Sequence, residues 1–174
     1  LSLLSNELDI DLTSIKSVFE FGAGYGCMAQ IFSKINQKIN YVCFDTHYVN
    51  LLQYYYLKHS NLDVGFSNKN NYNLISNLHK LKNYPKKKPK SLFIANWSLS
   101  ETPLNFRKKF IPLITKNHLI LISFQEKFEN INNLKYFYKL KSKISNKYNI
   151  KILKNKFYTG NMINKHNHYF FIGK

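Results

Sequence analysis

Apolar runs of strand length alternate along the chain with stretches whose apolar residues recur at helical spacing. Val18–Phe21 predicts a buried strand that ends at a glycine turn. Cys27 to about Lys34 predicts a helix with Met28, Ile31, Phe32 and Ile35 on one stripe. Asn40–Phe44 predicts a second strand ending at Asp45, and Tyr48–Lys58 a helix with Leu51, Leu52, Tyr55 and Tyr56 inward. Leu62–Phe66 predicts a short third strand, and Leu74–Leu81 a helix after the polar stretch 67–73. Ser91–Ala95 predicts a fourth strand. Thr102-Pro103 then opens a helix, with Thr102 as its cap and Pro103 at its first position. Phe106, Phe110 and Leu113 line the buried side of that helix, and Pro112 kinks or ends it. His118–Phe124 predicts a fifth strand, and Asn133 to about Lys147 a helix with Leu134, Phe137, Tyr138 and Ile144 inward. Ile150–Leu153 and Tyr169–Ile172 predict the last two strands.

Strands that alternate with helices imply an α/β fold: a mainly parallel central sheet with helices on both faces, in a single domain over residues 1–174. The last two strands have no clear helix between them, which predicts an antiparallel pair at the C-terminal end of the sheet. No segment repeats. The opening LSLLSNELDIDLTS carries acids where a signal peptide carries bases, and it begins with Leu. The chain therefore reads as the C-terminal part of a longer, cytoplasmic protein. No apolar run approaches the ~20 residues of a membrane-spanning helix.

Composition changes this picture in two ways. With 44% hydrophobic residues the chain can fill a core, which excludes a disordered polymer. The formal charge of +17, from 26 basic and 9 acidic residues, invites a nucleic-acid partner. The same excess follows from a chain saturated with Lys, Asn, Ile, Tyr and Phe, the residues that AT-rich codons favour, and that reading is preferred. Pro85–Lys90 (PKKKPK) reads as a solvated loop. Cys27 and Cys43 lack any framework or CxxC spacing and read as reduced and buried.

The candidate chemistry centres on the turn Gly22-Ala23-Gly24-Tyr25-Gly26. It follows the first strand and opens a helix, and Asp45 stands about 20 residues further on, where a carboxylate meets ribose hydroxyls. A dinucleotide site calls for G-x-G-x-x-G, but Cys27 occupies the last place. Glu20 precedes the turn, and a carboxylate there offers nothing to a pyrophosphate while it attracts an ammonium or a sulfonium. The turn thus suits S-adenosylmethionine better than NAD, with the helix N-terminus facing the ligand's carboxylate.

The stretches VFEFGAGYGCMAQIF, YVCFDTHYVNLLQYYYL and SLFIANWSLSETPLNFRKKF resemble class I S-adenosylmethionine-dependent methyltransferases. Within them the chain is most similar to the sugar O-methyltransferase family, bacterial proteins linked to surface polysaccharides. That family carries an E-x-G-x-G-Y-G turn, an acid followed by a Q-x-Y-Y-L helix, and an S-x-S-E segment after the fourth strand. Here these are Glu20 to Gly26, Asp45 with Gln53 to Leu57, and Ser98 to Glu101, while HNHYFFIGK resembles the closing strand. The resemblance runs from about Val18 to the end of the chain. Thr46-His47 departs from it, standing where many relatives have Leu-Pro.

The resemblance implies a Rossmann-like fold and a cofactor site. Glu20 and the turn Gly22, Ala23, Gly24, Tyr25 and Gly26 would hold the methionine moiety, and Asp45, with Thr46 beside it, the ribose. Asn96 and Trp97 would lie beside the methyl donor. Ligands of open α/β sheets bind at the carboxyl ends of the strands, which puts Asn96–Glu101 at the acceptor mouth. The segment is not N-P-P-Y, which disfavours transfer to a base amino group. The implied acceptor is a hydroxyl on a glycan or another small molecule, and its proton needs a base or a metal. Glu101 is the first candidate base, against a plainer role as a charge at a helix start. His47 is the second, and His118 reads as a surface or packing residue. His166 and His168 share a strand face, but a metal needs a third ligand and none is evident. Tyr54-Tyr55-Tyr56 reads as a stripe packed on the sheet, with sugar stacking as the alternative. The rival functions are an RNA methyltransferase, suggested by the charge, and a non-catalytic module that keeps the fold.

Overall fold

The computed structural model of the protein describes residues 1–67, 69–83, 90–156 and 167–174. The first half runs α1 (Ser2–Leu8), β1 (Ser17–Phe21), α2 (Cys27–Ile35), β2 (Asn40–Phe44), α3 (His47–His59), β3 (Val64–Gly65) and β4 (Tyr72–Ile75). It continues with β5 (Ser91–Asn96), α4 (Leu104–Lys108), α5 (Ile111–Ile114) and β6 (Leu119–Gln125). A small hairpin, β7 (Lys127–Phe128) and β8 (Ile131–Asn132), precedes α6 (Asn133–Ile144), β9 (Ile150–Lys154) and β10 (His168–Gly173). Short 3-10 turns lie at Leu12–Ser14, Leu78–Asn83 and Ser98–Glu101.

The main sheet has the order β3-β4-β2-β1-β5-β6-β10-β9. Its strands are parallel except β10, which runs antiparallel to both β6 and β9. All five residues of β1 are buried, as a central strand covered on both faces requires. Its side chains alternate between two cores. Phe19 and Phe21 join Phe93, Phe110 and Phe137 on the face covered by α4, α5 and α6. Val18 joins Cys43, Phe32 and Leu57 on the face covered by α1, α2 and α3. The expected α/β architecture, the mainly parallel sheet with helices on both faces and the antiparallel C-terminal pair are all present.

Several local expectations fail. Leu74–Leu81 is not a helix: its first residues belong to β4, buried along its whole length, and the rest forms the turn Leu78–Asn83. Leucines at 74, 78 and 81 imitate a helical stripe, but pairing with β2 claims the first of them. On α3 the inward stripe is Asn50, Gln53 and Leu57, whereas Leu51, Leu52, Tyr55 and Tyr56 are exposed. On α6, Leu140 faces the core and Tyr138 does not. Thr102 is no N-cap: its hydroxyl donates to Leu99 O and Pro103 takes the cap position. Pro112 does break the helix as expected: α4 ends at Lys108 and α5 starts afresh at Ile111, with the proline in its first turn, where a missing donor costs nothing. Cys43 is buried as expected but Cys27 is exposed, and both are free thiols. The predicted loop at 85–89 lies outside the described residues. No helix among the described residues is long and apolar enough to cross a membrane.

Candidate active site

The glycine turn stands at the carboxyl end of β1, between the ends of β2 and β5. Gly22 N–H donates to Phe44 O at 2.8 Å, which ties the turn to β2. The Ser98 hydroxyl donates to Phe21 O, which ties it to the segment after β5. Gly22, Gly24 and Gly26 all have positive φ, at 69°, 54° and 85°. At Gly22 a Cβ would lie 2.2 Å from the Ser98 Cβ, so close approach of the two segments demands glycine. At Gly24 a Cβ would meet nothing within 4 Å, so this glycine faces open space.

Two carboxylates flank the turn. Glu20 is buried on β1, and its Oε2 accepts from the Tyr41 hydroxyl at 2.7 Å. Burial raises its carboxyl to about 7; the Tyr41 bond opposes the shift and the Asp45 charge adds to it. Asp45, half-buried at the end of β2, accepts from Thr46 N–H at 2.8 Å and from Gln53 Nε2 at 3.2 Å. Burial raises its carboxyl, and the backbone N–H groups of Thr46, Gly24 and Ala23 work against that. Gln53 Nε2 also donates to Gly24 O at 2.9 Å. One amide therefore fixes Asp45 relative to the turn. Gln53, the first residue of the Q-x-Y-Y-L motif, thereby joins the site, and the polar stripe of Asn50 and Gln53 ahead of Leu57 is its signal in the sequence. Thr46 and His47 are exposed, the latter beside the Tyr48 ring.

A second group of side chains lies past β5 and β6. The Asn96 amide Oδ1 accepts from the Ser123 hydroxyl at 3.2 Å. Trp97 holds a positive φ of 58°, anchored by its N–H on Ser123 O at 2.9 Å. Its indole Nε1 donates to His168 Nδ1 at 3.0 Å, with the two rings nearly perpendicular. Gln125 Nε2 reaches the exposed Glu101 Oε1 at 3.3 Å, and the Ser100 hydroxyl lies 2.8 Å from Gln125 Oε1. Beneath them Arg107 is fully buried. Its guanidinium donates to Ser100 O, Thr102 O and Asn133 Oδ1 at 2.6–2.8 Å and lies over the Tyr136 ring. These bonds lock the backbone of the Ser98–Glu101 turn.

The structure thus groups Glu20, the glycines, Asp45, Thr46 and His47 on one side, and Asn96, Trp97 and Glu101 on the other. His47 follows β2 and Glu101 follows β5, two strands apart in the sheet. His168 joins the second group because β10 is antiparallel: its first residue lies opposite Gln125, at the carboxyl end of β6. In the sequence His168 pairs only with His166 as a candidate metal ligand, and His166 lies outside the described residues. Among the described residues no three His, Cys, Asp or Glu side chains gather at one point. His118 is exposed at the opposite end of the sheet, beside a cavity of about 720 Å³ that Lys90 and Lys174 also line. That cavity lacks the glycine turn and lies at the amino ends of the strands.

Comparisons with known proteins fit this arrangement. No family profile matches the sequence, and no curated protein matches it. Solved structures do match in fold. The StiE O-MT domain, residues 961–1257, aligns with a TM-score of 0.69 at 12% identity, over 99% of this chain and 71% of that one. The methyltransferase domain of bacterial CtHen1 aligns at 0.59 and 14% identity, over 90% and 89%. Precorrin-6y C5,15-methyltransferase from Geobacter metallireducens aligns at 0.58 and 13% identity, over 91% and 79%. The chain therefore has the Rossmann-like fold of the class I methyltransferases, and at these identities the likeness establishes the fold.

Proposed function

We propose that the protein is an S-adenosylmethionine-dependent O-methyltransferase that acts on a hydroxyl of a sugar or glycan. The observation that carries the reading is the open turn at Gly24, set between Glu20 and Asp45 at the carboxyl ends of a methyltransferase-type sheet. The donor set fits the cofactor. An ammonium at the turn would offset the buried charge of Glu20, whose carboxyl burial has raised to about 7. Asp45 is a half-buried acceptor already oriented by Gln53 and suits a ribose diol. When bound, S-adenosylmethionine supplies a methyl group activated by its sulfonium.

The chain's own part is alignment and proton removal. Trp97, fixed by Ser123 and His168, walls the acceptor side. Glu101, reached by Gln125, accepts the hydroxyl proton or holds the hydroxyl in line. The locked turn under them keeps that geometry from loosening. His47, on the far side of β1, belongs with the ribose-side residues and is not needed as the base. Among the described residues, the side chains bonded to Trp97 and Glu101 are His168 and Gln125, which suits a neutral hydroxyl better than a phosphodiester as acceptor. The name of the StiE O-MT domain agrees with transfer to oxygen, and the sequence resemblance supplies the sugar.

The +17 charge is the one observation that favours RNA instead. Both readings are tested by offering labelled S-adenosylmethionine with free sugars, short glycans and RNA, at low and at high salt. The expected product is a methylated sugar, formed at a rate that salt hardly changes. Transfer to RNA alone, falling steeply with salt as counterions reassociate, would replace the reading. No transfer to any acceptor, with S-adenosylhomocysteine still bound, would favour a non-catalytic module.

A further inference from the structure

We propose that α3 is a self-association surface, through which two copies of this chain pair as a symmetric dimer. The inference goes beyond the methyl-transfer reading and does not rest on it. Its basis is an outward apolar seam that nothing among the described residues covers. Tyr48, Leu52, Tyr55 and His59 follow one another at spacings of four, three and four residues, the pattern by which one helix docks along another. Tyr48 is 82% exposed and Tyr55 66% exposed, and Tyr55 stacks on His59. Two aromatic pairs widen the seam. Tyr25 from the glycine turn meets Tyr56 on one flank, and Phe66 stacks on Tyr54 on the other. Of the twelve exposed large apolar side chains among the described residues, eight lie on α3 or touch it. The patch is therefore not a scatter of single exposed residues, which would mean nothing.

Charge selects the occupant. One residue in five of the chain is charged, yet on α3 the sole Lys, Arg, Asp or Glu is Lys58, which lies over the flanking Tyr54 ring and outside the Tyr48–Leu52–Tyr55–His59 seam. A polyanionic partner would seek the lysines elsewhere. Two molecules of charge +17 repel, and they approach most easily over a face poor in charge. Interface cores are depleted in charged residues and enriched in tyrosine, as this face is. A seam of tyrosine and leucine is also complementary to itself across a two-fold axis. The area is sufficient. The six rings expose from 37% to 82% of their surface. At the 150–250 Å² that an aromatic side chain buries, this comes to roughly 500–800 Å² per copy, close to the ~800 Å² per partner of a stable interface.

The test is sedimentation of the 174-residue chain from about 1 to about 100 µM, at low and at high salt. The expected result is a monomer–dimer equilibrium that tightens as salt screens the repulsion. Leu52→Lys with Tyr55→Lys should raise the dissociation constant by at least ~10-fold, while Tyr138→Lys, exposed on α6, should leave it unchanged. Circular dichroism confirms that each variant is folded; should the double variant unfold, Tyr48→Lys alone, at the most exposed ring of the seam, takes its place with the same expected weakening. A wild-type monomer over the whole range overturns the proposal and leaves the face to the acceptor or to another protein. A dimer that survives the double substitution overturns it as well, because the contact then lies elsewhere.

Discussion

Glu20 enters the core with a single hydroxyl to bond it, and its carboxyl rises from 4.5 to about 7. The folded chain then keeps a proton that the unfolded chain releases above about pH 4.5. Stability that is fully present below that pH is lost as the pH climbs to about 7, by roughly 3 kcal/mol in all. Glu20→Gln keeps a partner for Tyr41 and carries no charge. Denaturant unfolding at pH 4 and pH 8 should show the variant gaining roughly 3 kcal/mol on the wild type between the two. Parallel pH dependences would mean that the carboxylate finds compensation in the fold. Glu101 is the opposite kind of residue, exposed and, among the described residues, reached by one long bond from Gln125. Glu101→Gln should lower turnover ~10²-fold or more and leave S-adenosylhomocysteine affinity within about twofold. The plainer role as a helix-start charge loses ground, because α4 begins at Leu104 and its cap is Pro103. An unchanged turnover with a lowered melting temperature would restore that role and remove Glu101 from the chemistry.

At the scale of elements, the β1–turn–α2 unit holds two glycines that do different work. Gly22 faces Ser98 and Gly24 faces open space. Gly22→Val should therefore lower the melting temperature sharply, since a side chain would drive apart the segments after β1 and β5. Gly24→Val should cost less stability, from its positive φ alone, while reducing S-adenosylhomocysteine affinity beyond measurement. Calorimetry and thermal melts on the pair separate the two, and normal binding by Gly24→Val would make the turn merely structural. This unit was legible in the sequence because glycines, strand and acid all sit within one local stretch. So were the central strands, whose apolar runs are bounded by turns. What escaped was set by partners far along the chain. β4 is a strand because β2 lies beside it. The inward stripe of α3 is polar because Gln53 answers Gly24 O and Asp45. The start of α4 at Leu104 rather than at Pro103 was hidden too, because Arg107 holds the carbonyls at 100 and 102 in the preceding turn. His168 was hidden for the same reason, since only the antiparallel register brings it to Trp97.

For the whole molecule, the described residues split into two cores on either side of one sheet, and Phe19 illustrates what holds them. It is buried between Phe44 and Phe93 with ring centroids 6.5 and 5.7 Å away. Phe19→Ala should cost ~3–5 kcal/mol in denaturant unfolding, and a loss below ~1 kcal/mol would mean that the core collapses into the gap. The order of the sheet has a further consequence, for synthesis. β10 is made after β9, yet it sits between β9 and β6. While a nascent chain has reached β9 but not residue 168, β9 has no neighbour in the sheet, and β6 (LILISFQ) shows the ribosome exit a bare hydrophobic edge. β10 thus acts as the cap that shields this edge, and until it arrives the edge stays open to pairing with the wrong strand.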